Sequence, residues 1–142
     1  MKNKGFTMVE IIVVLAIVGI LSGFIVPKAQ KQIGISKDLR AINILTALRT
    51  ANSMFFLEKN NSLQVGDFTE EKLQLLREYL PEAIHSKIII ENGIINIDIG
   101  GKINQNNETI YGGKLNLVVD ELGEIKFKSN FKNLNGEPWN GI

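Results

Sequence analysis

The sequence predicts an α+β fold: a long N-terminal helix, membrane-spanning in its first half, packed on a small antiparallel β-sheet head. Three observations predict it. Ile11 to Val26 is a run of 16 residues with no charge, and Ser22 is its only polar side chain. From Ile35 to Phe55, apolar residues recur every three or four positions, which is the period of one helix face. From Lys87 onward, short β-branched runs and clean alternation are punctuated by Gly- and Asn-rich turns, which is the signature of strands.

The apolar segment comes first. Phe6 to Val26 is 21 residues, and about 20 span the hydrocarbon of a bilayer. Lys2 and Lys4 supply the basic start of a secretory signal, but Gly23 to Lys28 offers no small-residue cleavage pair. Under the positive-inside rule Lys2 and Lys4 lie in the cytoplasm, while Lys28 and Lys31 flank the other end. Glu10 is out of place in an inert anchor. An acid at the centre of a membrane helix costs about 2.5–3.5 kcal/mol, and less near the interface, so Glu10 demands a partner. Gly19 and Gly23 are four apart on one face, the spacing that lets membrane helices approach closely. Pro27 lacks an amide proton and clashes with the preceding turn, so it kinks the helix or marks the membrane exit.

The helix pattern continues past Pro27. Ile35, Leu39, Ile42, Leu45, Leu48, Ala51 and Phe55 make one apolar face, with Lys37, Asp38, Arg40, Asn43 and Arg49 between them. A helix from Phe6 to about Glu58 is roughly 80 Å long at 1.5 Å per residue. That exceeds the need of a membrane, so the second half buries its apolar face against a head. Asn60 to Gly66 reads as a loop, and Thr69 to Leu80 as a short helix ended by Pro81. Asp67 and Glu70 are spaced as a capping box for its start. Ile88 to Ile90, Ile95 to Ile99, Leu115 to Val119 and Glu124 to Lys128 read as strands. Glu91-Asn92-Gly93 is a hairpin turn, Gly100 and Gly101 break a strand, and Asn104 to Glu108 is a polar loop. The expectation is a three- or four-stranded antiparallel meander with one face on the long helix. In the Asn- and Gly-rich tail, Trp139 plugs a head-domain edge in preference to contacting a neighbour.

Lys4-Gly5-Phe6-Thr7-Met8-Val9-Glu10, followed by the run to Val26 and then Pro27, resembles the leader of type IV pilins and type II secretion pseudopilins. The resemblance covers about the first 30 residues. It implies a pilin-like fold and cleavage by a prepilin peptidase after Gly5, with N-methylation of Phe6. It also implies an assembly charge pair between Glu10 and the new Phe6 amine, and a helix-kinking role for Pro27. The domains that follow are a leader (1–5), a transmembrane and assembly helix (6–27), an amphipathic helix (28–58) and a globular head (59–142). The chemistry is consistent. Cleavage creates an amine with a reference pKa of about 7.7–8.0, a cation one helical turn from Glu10 of its own chain or within reach of Glu10 of a neighbour. Buried polar pairs are better attested for fixing register than for adding stability.

Composition narrows the function. The chain has 142 residues, no cysteine and one histidine, His85, which reads as a loop residue. Disulfides, thiolate metal sites and a Cys nucleophile are excluded, and a Ser-His-Asp triad is hard to build. The net charge of +1 gives no reason to expect a nucleic-acid partner. Loss of Lys2 and Lys4 would leave 14 basic residues against 15 acids. Lys126, Lys128 and Lys132 read as a solvated strand edge rather than a binding patch. Asp98, Asp120, Glu121 and Glu124 are the calcium candidates, chiefly Asp120 and Glu121, but no D-x-D-x-D-G string accompanies them. The expectation is no metal, no cofactor and no catalysis. The resemblance implies a subunit of a secretion pseudopilus or a type IV pilus, with self and other pilin-like subunits as partners. Its other partners are lipid before assembly, the prepilin peptidase, and a membrane platform driven by a separate ATPase. It is expected in the bacterial inner membrane as a single pass, N-terminus cytoplasmic and head outside, and then in a periplasmic or surface filament. The absent disulfide leans toward the pseudopilus. The rival reading is a monomeric membrane-tethered extracytoplasmic binding protein.

Overall fold

The computed structural model describes residues 4–142. They fall into two units, one ending at Ile33 and the other running Gly34–Ile142. Helix α1 spans Met8–Lys59 and includes Pro27. With α1 come β1 (Gly66–Asp67), α2 (Glu70–Leu76), a 3-10 turn (Arg77–Tyr79) and α3 (Glu82–His85). Six further strands follow: β2 (Ile89–Glu91), β3 (Ile94–Asp98), β4 (Gly101–Ile103), β5 (Thr109–Tyr111), β6 (Lys114–Val119) and β7 (Ile125–Phe127). A 3-10 turn at Trp139–Gly141 ends the chain.

The fold of the second unit is α+β, with its part of α1 packed on an antiparallel sheet. Strands β2, β3, β6 and β7 make the expected four-stranded antiparallel core. Strand β6 organises it: Lys114 to Asn116 pair with β3, and Val118 and Val119 pair with β1 along the same edge. Alternation puts Ile95, Ile97 and Ile99 on the buried face with Leu115, Leu117 and Val119. They meet Ala41, Leu45, Leu48 and Phe55 of α1 in one core. Trp139 closes that core. It is fully buried and stands edge-to-face on Phe127 at 5.0 Å between ring centroids.

Five details differ from the sequence reading. The buried stripe of α1 begins with Gly34, Asp38 and Ala41, whereas Leu39 is exposed and Ile35 and Ile42 are half-buried. The stripe is thus rotated, because Asp38 has partners in the head that spacing does not reveal. Gly100 and Gly101 do not simply end a strand. They lead into a hairpin, β4–β5, with Gly101 opposite Tyr111, whose tip is the polar 104–108 loop. The expected helix from Thr69 to Leu80 is α2 followed by a 3-10 turn. Its capping box does not form: Asp67 lies in β1, and Thr69 takes the N-cap position without a side-chain hydrogen bond. Finally, His85 is not in a loop but ends α3, and its Nε2 is buried without a partner among the described residues.

Candidate functional site

The first unit holds the residues that the sequence singles out for processing and assembly, apart from Met1, Lys2 and Asn3 of the leader, which lie outside the described residues. Gly5 and Phe6 precede α1 and are exposed. Thr7 and Glu10 then close the helix start reciprocally. The Thr7 N–H donates to Glu10 Oε2 at 2.8 Å, and the Glu10 N–H donates to Thr7 Oγ1 at 3.3 Å. This is a capping box, which meets backbone donors that the first helical turn leaves orphaned. Thr7 is therefore a site residue that the sequence reading missed. Its signal was present in Thr7-Met8-Val9-Glu10, a T-x-x-E string ahead of an apolar run.

Phe6 and Glu10 lie on the same side and, with Ile11, Val14 and Leu15, line an open groove of about 250 Å³. The run that follows has nothing to pack on within the chain. Ile12, Leu15, Ile20 and Phe24 are each more than half exposed. The segment is long and apolar enough to cross a membrane, and none of it is buried within the chain. At Gly19 and Gly23 an added Cβ would meet no atom within 4 Å, so these two glycines have no close neighbour in the single chain. The one polar side chain in the run satisfies itself, since Ser22 Oγ donates to Val18 O at 2.7 Å.

The head acids do other work. Asp120 Oδ1 accepts the N–H groups of Leu122 and Glu124, both at 2.9 Å, and its Oδ2 pairs with Lys126 at 2.6 Å. The Lys126 ammonium beside it, with the Glu124 and Leu122 N–H groups, holds the Asp120 carboxyl below its ordinary value. Glu121, Glu124 and Asp98 are exposed. Among the described residues no three His, Cys, Asp or Glu side chains come together as a metal-binding group. The lysines are not a free patch either: Lys126 is paired with Asp120 and Glu124, and Lys128 with Asp67.

Asp38 is the second residue that spacing failed to find. Its carboxylate is buried and accepts the N–H groups of Gly100 at 2.8 Å, Gly101 at 3.3 Å and Leu134 at 3.0 Å. It ties α1 to the β3–β4 corner and to the C-terminal loop. Burial pushes its pKa above the ordinary value, against the downward pull of the three donors.

Comparison with known proteins agrees with this geometry. Residues 1–26 match the family model of the prokaryotic N-terminal methylation motif. The type IV major pilin protein PilA of Myxococcus xanthus is 40% identical over 70 residues, 49% of this chain and 30% of its own. A fimbrial protein of Neisseria meningitidis is 30% identical over 88% of this chain and 71% of its own. The competence protein ComGC of Streptococcus pneumoniae is 31% identical over 55% of this chain and 78% of its own. The chain spans less than a third of PilA (30%) and about half (52%) of a Pseudomonas aeruginosa fimbrial protein. No solved structure matches. With the methylation motif at its start and most of a fimbrial protein aligned along nearly its whole length, the chain belongs to the type IV pilin family.

Proposed function

We propose that this chain is the structural subunit of a type IV pilus-like filament. The observation that carries the reading is the contrast between its two units. The head buries a complete core, while the uncharged run of the first unit stays bare along its length. Such a surface needs lipid or copies of itself. Cleavage between Gly5 and Phe6 by a prepilin peptidase, with methylation of the Phe6 amine, would place a cation beside Glu10. A neighbour's amine meeting Glu10 would neutralise both charges in an apolar stack and set the axial step between subunits.

Before assembly the subunit sits in the inner membrane as a single pass, N-terminus inside and head outside. Afterwards the helix exchanges lipid for neighbouring helices. The work comes from an assembly platform with its own ATPase, since this sequence carries no nucleotide-binding motif. Relatives named as pilins, fimbrial proteins and competence proteins support a pilus-like structural subunit.

The test is the intact mass and N-terminal sequence of the protein from its native host. The expected chain starts at Phe6 and is heavier by one methyl group. A chain still starting at Met1 would leave Glu10 without an amine and would put the membrane-tethered binding protein in place of the filament subunit.

A further inference from the structure

The head carries a cleft, lined mostly by residues with polar side chains, that the filament role does not use. Its volume is about 670 Å³, within the range of about 300–1,000 Å³ typical of ligand sites. One wall is the tip of the β4–β5 hairpin, another the start of β6, and the third the segment after β7. The walls are fixed. Ile103 and Lys132 exchange backbone hydrogen bonds at 2.8 and 3.1 Å, which zips the hairpin to the C-terminal segment. Asn104 Oδ1 accepts the N–H groups of Asn106 and Glu108, both at 2.9 Å, which sets the tip.

The lining points to the ligand's chemistry. No acid lines the cleft. Gln105, Asn106, Asn116 and Asn130 line it, and among the described residues none of their side-chain amides has a hydrogen-bond partner. By contrast Asn104, which also lines the cleft, and Asn52 and Asn133 elsewhere spend their side-chain amides on the fold. Of the three lysines at the rim, Lys114 pairs with Glu91 and Lys128 with Asp67. That leaves Lys102, whose ammonium is held 4.8 Å from the centre of the Phe131 ring and has no carboxylate partner among the described residues. Four free donor–acceptor amides and one free cation suit a ligand dense in hydroxyl and acylamide groups with a single negative charge. A nucleic acid fits poorly, because two lysines are already neutralised and the one aromatic face is covered by Lys102.

We propose that this cleft binds an acidic oligosaccharide, with its carboxylate on Lys102 and its hydroxyl and acylamide groups on Asn106, Asn116 and Asn130. The site would give the head a recognition function beyond its place in a filament.

The experiment titrates the full chain in detergent micelles with 3′-sialyllactose, with lactose and with oligo-dT, and follows the Asn side-chain amide signals by NMR. The expected result is that sialyllactose shifts the Asn106, Asn116 and Asn130 amides with a Kd on the order of 1 mM. Lactose should bind about tenfold more weakly, for want of a charge-assisted hydrogen bond. Asn116→Ala should abolish the shifts of the remaining amides, and Lys102→Gln should erase the preference for sialyllactose. Unchanged backbone spectra will show that both variants fold. The proposal falls if neither sugar shifts these amides at 20-fold that concentration, or if Asn116→Ala binds as the parent does. It also falls if oligo-dT shifts the same amides at lower concentration than sialyllactose.

Discussion

Asp38 shows how one side chain sets the relation of a helix to the head. Three backbone donors converge on it, from Gly100, Gly101 and Leu134. Removing the acceptor would leave them buried, and each orphaned donor costs about 1–3 kcal/mol. Asp38→Ala is therefore expected to lower the melting temperature of the head sharply. The charge itself works the other way. Because burial raises the folded-state pKa above the unfolded value, the folded state binds the proton more tightly. The contribution of this group to stability is then fully present below the unfolded pKa and is lost as pH rises through the raised folded pKa. Asp38→Asn removes that dependence. Thermal melts across the acid range should show wild type losing ground to Asp38→Asn as pH rises, and a difference that stays flat with pH would refute the assignment.

At the scale of elements, α1 crosses the β3–β4 corner so closely that side chains are excluded. A Cβ on Gly100 would overlap the backbone carbonyl of Gly34, whereas one on Gly34 would first meet the end of the Leu134 side chain. Backbone cannot yield as a leucine methyl can. Gly100→Ala should thus cost more than the roughly 1–3 kcal/mol of ordinary overpacking, and Gly34→Ala should stay within it. Chemical denaturation of the two variants will rank them, and equal losses would contradict the crossing. The sequence made the long elements legible, since 52 residues of helix and the isoleucine alternation of β3 each repeat their period several times. It did not reveal β1 or the β4–β5 hairpin. Strand β1 is two residues long and is defined by pairing with β6, and β4 opens on glycine. Elements that owe their existence to a partner leave no period to read. Asp38 was hidden for the same reason, because helical spacing places it among the charged residues while its partners are distant in sequence.

For the whole molecule the issue is what Glu10 is for. The sequence made the position legible, as an acid entering an uncharged run, but not its hydrogen bonds. In the single chain Glu10 caps its own helix with Thr7. In the proposed filament the same carboxylate meets a neighbour's amine. Two substitutions separate these roles. Glu10→Gln keeps a side chain that can serve in a capping box but removes the charge. Thr7→Ala keeps the charge and removes the hydroxyl, at a cost of about 0.5–2 kcal/mol to the helix start. Both proteins should reach the membrane, because neither touches the uncharged run. If the charge pair sets the stacking, Glu10→Gln will accumulate as membrane-bound subunit without filaments, while Thr7→Ala will still assemble. Electron microscopy of the native host, with membrane fractionation alongside, reads both outcomes. Filaments from Glu10→Gln together with none from Thr7→Ala would assign Glu10 to the helix cap alone and leave the bare apolar surface as the sole force between subunits.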